Sequence, residues 1–385
     1  MKKGASDVDR RRNRRHWWDR GGTGGTGGTG GGNLNFTGLG SFLGAGADPV
    51  YDPILVQGLQ IAEQAITHVA SRDPAGDIEE LAFSSAGNMT LWADWVRASL
   101  YMTEFLRELD WRQDDRTVTL SYGRRRHHGD SGDHDRGERS FYAVRRPDSD
   151  CFKEQLKFMR SYLDQRPDRT PEIITQLGFP TPYFAMLLGL QVGANTHTFE
   201  LITITQVLAA HVAMVVKHHL ACRRPDRAGA QVMPMIPTPA HGTFPSAHAT
   251  EAFAVATVLN RFVERQQQHY PDVKARQALI TKLAERIAVN RTVAGVHFPI
   301  DTWAGAILGR AIGQIVLAKC RAGTTVNGYR YSAKGDLDFF VKEFAKGDNR
   351  GFGVTETGSI DVGSSELFEW LWNKASGEFD LVQEA

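Results

Sequence analysis

The 385-residue sequence holds only three cysteines, Cys151, Cys222 and Cys320, and no closely spaced pair among them. An odd, widely spaced set excludes a disulfide framework and a cysteine zinc site, and reads as free thiols in a reducing compartment. A surplus of charge of one sign is also missing. The net charge is +1, so no global field draws nucleic acid or a membrane surface, and any electrostatic function must come from local clusters. No apolar h-region follows the basic start, so no secretory signal is read. Long uninterrupted apolar runs are absent. The run 182–194 is too short to span a bilayer, 199–216 is broken by Glu200, Gln206 and His211, and 304–318 by Arg310 and Gln314. These read as core helices of a cytoplasmic or otherwise soluble protein. No internal repeat is evident.

What remains is ordinary globular composition, 41% hydrophobic and 23% charged. Residues 1–47 read as a disordered tail: a basic stretch from Arg10 to Arg20 with Trp17 and Trp18, then Gly-Gly-Thr repeats through Gly32. Helical spacing begins at Tyr51, and a second helix is expected from Met89 to about Trp111. Residues 117–122 and 140–145 alternate like strands and predict a β-hairpin with a long tip, Gly123 to Arg139. In that tip His127, His128, Asp130, Asp133, His134 and Asp135 read either as a solvated loop or as divalent-metal ligands. Further helices are expected at 151–165, 172–177, 183–193, 197–222, 246–268, 273–290 and 302–320, with short amphipathic pieces near 336–345 and 365–374. The expected fold class is all-α, a helix bundle with a small β-hairpin insertion. The expected divisions are a 1–47 tail, a 48–180 helical region carrying the hairpin (about 117–145), a 181–322 catalytic bundle and a 323–385 extension.

Chemistry concentrates between Lys217 and Asp301. Lys217 and Arg224 share nearly one helical face, so they meet solvent or share an anion. Ser246, in Phe244-Pro245-Ser246-Ala247-His248, suits the N-cap of a helix whose first N–H groups favour negative charge. Asp301 lies four residues after His297. It can accept the Nδ1–H of that ring and leave Nε2 free as nucleophile or metal ligand. Each piece alone also reads blandly, as a solvated face, an ordinary cap or a surface pair.

Taken in order, Lys217-x6-Arg224-Pro225, Pro245-Ser246-Ala247-His248 and Asn290-Arg291-x5-His297-x3-Asp301 resemble the superfamily that joins type 2 phosphatidic acid phosphatases (PAP2), bacterial acid phosphatases and vanadium-dependent haloperoxidases. Two positions depart from its pattern: Ala247 stands for the usual glycine and Asn290 for a serine. The resemblance implies that Lys217, Arg224, Arg291, Ser246 and the Ala247 N–H hold the equatorial oxygens of phosphate or vanadate. It implies that His297, oriented by Asp301, bonds phosphorus or coordinates vanadium, and that His248 is the acid–base group. The ordered region before the motifs and the absence of spanning or export signals favour the haloperoxidase branch. So do His241 and Phe244, which match its halide-side positions. The expected activity is therefore a vanadate-dependent haloperoxidase, with vanadate as cofactor and hydrogen peroxide, a halide and an organic acceptor as partners. Neither nucleic acid nor membrane is expected to bind, and a homo-oligomer is allowed. The alternative is a soluble acid phosphatase acting through a phosphohistidine. A third reading is a non-catalytic anion-binding protein.

Overall fold

The computed structural model describes residues 57–58, 80–123, 140–323 and 325–379. The expected tail, the helix from Tyr51 and the metal-ligand candidates of the hairpin tip lie outside the described residues.

Among the described residues nine longer helices follow one another: α1 (Asp94–Leu106), α2 (Ser149–Ser161), α3 (Arg166–Thr175), α4 (Thr181–Leu188), α5 (Thr196–Leu220), α6 (Ala247–Arg265), α7 (Val273–Val293), α8 (Pro299–Lys319) and α9 (Glu366–Gly377). Among the same residues five strands join them: β1 (Leu109–Asp114), β2 (Thr117–Tyr122), β3 (Ser140–Arg145), β4 (Val326–Tyr331) and β5 (Val354–Ile360). They form one mixed sheet in the order β1-β2-β3-β4-β5. All neighbours are antiparallel except β3 and β4, which run parallel with Tyr142 opposite Tyr329. The expected all-α fold is therefore corrected to mixed α/β. The hairpin is the centre of a sheet to which strands from both flanks of the helical region contribute.

The three strands missing from the sequence reading each lack a clean alternation. β1 and β5 bury little but their ends, so their exposed polar residues hide the period-2 signal. β4 carries Gly328 in mid-strand, where an added Cβ would strike Thr357 and the Ser140 carbonyl. Trp111 sits in β1, not at the end of a helix from Met89. A short 3-10 turn (Ala86–Thr90) precedes α1, and Leu91 and Trp92 are exposed.

The core is built on α6 and α8. Gly305, Gly309 and Gly313 recur every four residues along α8, on the stripe that meets α6. A Cβ there would come closer than 3.0 Å to Ser246 O, Thr250 O and Thr257 respectively. Without side chains on that stripe the two helices approach almost backbone to backbone, which sets the Ser246 end of α6 beside the Asp301 end of α8. The Ser246 N–H donates to the Asp301 carbonyl at 2.9 Å. The sheet closes over α8: the Tyr142 hydroxyl donates to Ala304 O, and Trp303 stacks on Tyr331.

Candidate functional site

Three element ends meet in the core. The last turn of α5 brings Lys217, and the backbone then turns at Ala221, in the left-handed region at φ 48°, toward Arg224. Ser246 caps α6, its Oγ accepting from Ala249 N at 3.4 Å. The C-terminal turn of α7 brings Arg291, and the loop into α8 brings His297, with Asp301 in the first turn of α8. Lys217, Arg224, Ser246, Ala247, His248, Arg291, His297 and Asp301 are all buried.

His297 has both ring nitrogens engaged. Nδ1 lies 2.9 Å from Asp301 Oδ2, and Nε2 lies 2.9 Å from Arg224 Nη1. A guanidinium can only donate and a carboxylate only accept, so Nδ1 carries the hydrogen and Nε2 presents its lone pair. Asp301 Oδ2 also accepts from the Phe298 N–H (2.9 Å) and from the Thr243 hydroxyl. Burial, then the nearby Arg224 and Lys217, hold His297 well below the usual imidazole range, so its ring is neutral. Burial pushes the Asp301 carboxyl up, against the lowering effect of its hydrogen bonds from Thr243 and Phe298.

Lys217 Nζ donates to Gly242 O (2.8 Å) and Thr243 O (2.9 Å). Arg224 also donates to His241 O (2.9 Å) and Val296 O (2.8 Å). Arg291 donates to Gln176 O (3.1 Å) and Ile173 O (3.3 Å), and its Nε has no hydrogen-bond partner. His248 Nε2 lies 3.0 Å from Gln176 O. A carbonyl only accepts, so Nε2–H is fixed and Nδ1 keeps the lone pair. Burial, then Arg291, push the His248 imidazole down to about 3. Three buried cations face few carboxylates, which is the electrostatic condition of an anion site.

His241 is half-buried, its Nδ1 3.1 Å from Arg224 Nη2, and burial with Lys217 and Arg224 pushes it down to about 4. Phe244 is buried and stacks on Tyr331. Ala247 is 4% exposed and sits at the first helical position, where its N–H is outside the helix's own ladder. Asn290, in the usual serine position, donates to Glu172 Oε2 (3.0 Å) and Gln176 Oε1 (2.9 Å).

Three contributors have no place in the motif reading. Thr243 braces Asp301. Gln176 joins His248 to Arg291. Glu251, one turn beyond His248, is fully buried, and burial drives its carboxyl well above the usual range, against the lowering effect of Lys217 and of a hydrogen bond from Gln206. Glu251 left a trace in the sequence as a lone acid in an apolar helix. Gln176 left none.

The PAP2 superfamily profile matches residues 199–322. Over 109 residues the chain is 31% identical to decaprenylphosphoryl-5-phosphoribose phosphatase of Mycobacterium tuberculosis, in strains CDC 1551 / Oshkosh and ATCC 25618 / H37Rv alike. The alignment covers 28% of this chain and 54% of that protein, so the chain spans about half the length of the curated relatives it matches. Among solved structures, a transmembrane PAP2 type phosphatidylglycerolphosphate phosphatase from Bacillus subtilis is similar at 18% identity and a TM-score of 0.28, over 43% of this chain and 80% of that one. The curated relative is named a phosphatase and favours that alternative over the haloperoxidase reading. The expectation of a cytoplasmic or otherwise soluble chain is corrected as well. The stretch Thr196–Ala228 is long and apolar enough to cross a bilayer (mean hydropathy 1.8), with 83% of its most apolar window buried inside the protein. The profile match and the curated relative together support membership of this chain, through its helical core, in the PAP2 superfamily.

Proposed function

We propose that the protein is a phosphoric monoester hydrolase acting through a phosphohistidine at His297. The observation that carries this reading is the neutral His297, its Nε2 lone pair aimed among buried cations and its Nδ1–H held by Asp301. In this reading Arg224 swings its donor from Nε2 to the phosphoryl oxygens as the ester enters. Lys217, Arg291, Ser246 and the Ala247 N–H take the remaining oxygen positions, where charge grows in the transition state. Nε2 bonds to phosphorus while the ester P–O bond breaks. The positive charge on the imidazole is compensated by Asp301, whose carboxylate already accepts Nδ1–H. The bound dianion offsets the cations that hold His248 neutral, so Nδ1 of His248 takes a proton and passes it to the leaving oxygen. The same nitrogen then accepts a proton from the water that cleaves the N–P bond, releasing inorganic phosphate and neutral His297, and His248 returns that proton to solvent, which replaces the one it took for the leaving oxygen.

Vanadate is tetrahedral and anionic like phosphate and suits the same donors, including the otherwise unpaired Nε of Arg291. In this reading Lys217, Arg224 and Arg291 would hold it and His297 would ligate it. It would supply a stable mimic of the five-coordinate transition state and so inhibit hydrolysis.

The test is hydrolysis of a chromogenic phosphate monoester by the purified chain, with trapping of a phosphoenzyme. Hydrolysis with an acid-labile, base-stable phosphate on His297 supports the reading. Peroxide-dependent bromination in the presence of vanadate, with no ester hydrolysis, would overturn it.

A further inference from the structure

Gln176 lies outside the matched segment and in none of the motifs. It follows α3 as its C-cap and is fully buried. Two groups of the site converge on its main-chain carbonyl, His248 Nε2 at 3.0 Å and Arg291 Nη1 at 3.1 Å. Its side-chain Oε1 accepts from Asn290 Nδ2 at 2.9 Å and from Arg291 Nη2 at 3.4 Å.

Both neighbours of Oε1 are donors, so the orientation of the amide is determined. The flipped form would set an NH2 group against two N–H groups. The consequence is that Nε2, with its two hydrogens, faces no acceptor and is shut off from water. Arg291 Nε is in the same state. An unpaired buried donor is destabilising, because it has given up its hydrogen bonds to water for nothing in the resting protein. The amide is also held in place from behind. Asn290 is fixed by Glu172 and Arg169 (3.1 Å), and Glu172 is fixed by Arg286 at 2.7 and 2.6 Å. A rigid, oriented, unpaired donor beside an anion-binding guanidinium is the arrangement a binding site keeps for a ligand oxygen.

We propose that Gln176 is a substrate-binding residue of the phosphoryl site, its Nε2 donating to a non-bridging oxygen of the phosphoryl group that Arg291 holds. This rests on the phosphatase reading for the identity of the anion. It adds a neutral donor to the cations, which strengthens the grip on the oxygens without further repulsion among Lys217, Arg224 and Arg291.

The experiment uses the full chain and inorganic phosphate, with binding followed by calorimetry and hydrolysis by a chromogenic monoester. Gln176→Glu retains an acceptor for Asn290 and Arg291 but removes the donor and adds a negative charge. Gln176→Met removes the amide at constant length. Phosphate affinity is expected to fall about 10–100-fold in Gln176→Met and further in Gln176→Glu, as befits a lost hydrogen bond to a charged group. The Gln176→Glu chain should keep its melting temperature, which a purely structural role would not combine with lost affinity. In the wild type labelled with 15N-glutamine, phosphate should move one slowly exchanging side-chain NH2 pair downfield, a readout that needs no variant to fold. Unchanged affinity in a folded Gln176→Glu, no moving NH2 pair, or no phosphate binding by the wild type would each overturn the inference. Phosphate binding without ester hydrolysis would sink the phosphatase reading alone and leave the Gln176 result to be read from affinity.

Discussion

Around His297 both ring nitrogens have partners, and the carboxylate that orients the ring takes three hydrogen bonds on one oxygen. Around His248 and Arg291 the polar groups are buried just as deeply, yet two donors, Gln176 Nε2 and Arg291 Nε, have no hydrogen-bond partner, while the atom left without one at Asp301 is an acceptor, Oδ1. The difference separates two tasks. A nucleophile has to be aimed before the substrate arrives, so its half is tied down in the resting protein. In the proposed reading, the half assigned to grip the phosphoryl group and handle the leaving oxygen meets its partners only when the ester enters, so some of its donors stay unpaired until then.

The contrast predicts unequal responses to mutation. His297→Ala should remove at least about 10⁴-fold of ester hydrolysis and all phosphoenzyme, since the bond to phosphorus is assigned to its Nε2. A trapped phosphoenzyme in that variant would place the nucleophile elsewhere. His248→Gln should cost about 10²–10⁴-fold in steady-state turnover. Rapid-quench kinetics should still show a burst with a leaving group as good as nitrophenolate, because only the second step then needs the lost base. A vanished burst would mean that His248 is equally needed for attack. Thr243→Val removes one hydroxyl that braces Asp301 and should cost about 10–100-fold in kcat with little change in phosphate affinity. An effect on affinity instead would assign Thr243 to the gripping half.

The two halves are also joined through pH. His248 falls from 6.5 in the unfolded chain to about 3 in the fold, so the folded state binds fewer protons between those values. Its contribution to stability is present above about pH 6.5 and is lost as the pH falls toward 3. Melting temperatures taken at pH 7.5 and 4.5 should therefore differ. The gap should narrow in His248→Gln and in the presence of phosphate, whose charge offsets the cations. A gap unaffected by either would assign the acid sensitivity to other groups. The smallest effect on activity is expected from Gly309→Ala, away from the oxyanion. The added methyl meets Thr250 O and should destabilise by about 1–3 kcal/mol in denaturant titration, with kcat within a few-fold.

The charge-bearing positions of the site were readable because chemistry restricts residue type there, and the superfamily resemblance rests on those positions. The haloperoxidase branch rests on quantities that carry no chemistry, such as the length of chain before the motifs, and the curated relative favours the phosphatase alternative instead. His241 was a weak guide for a different reason: its Nδ1 lies against Arg224, a contact that a phosphate site can use equally well. Gln176 was invisible because its role depends on a main-chain carbonyl and on where α3 happens to end, neither of which has a residue-type signature. The sheet was underread for a related reason. β1 and β5 face water along most of their length, and β4 finds its parallel partner β3 at the far end of the helical region.

That last pairing has a kinetic consequence. Tyr142 and Tyr329 stand opposite one another only after the whole helical region between them has doubled back, and closing so long a loop is slow compared with forming helices. Tyr142 and Tyr331 are also what press on Ala304 and Trp303, in the turn of α8 just beyond Asp301. During refolding, helical signal should therefore return ahead of competence to hydrolyse, with the clasp of β3 and β4 as the last fastening. The Asp301 carboxylate that holds the His297 ring becomes fully seated only when the two distant ends of the core have found each other.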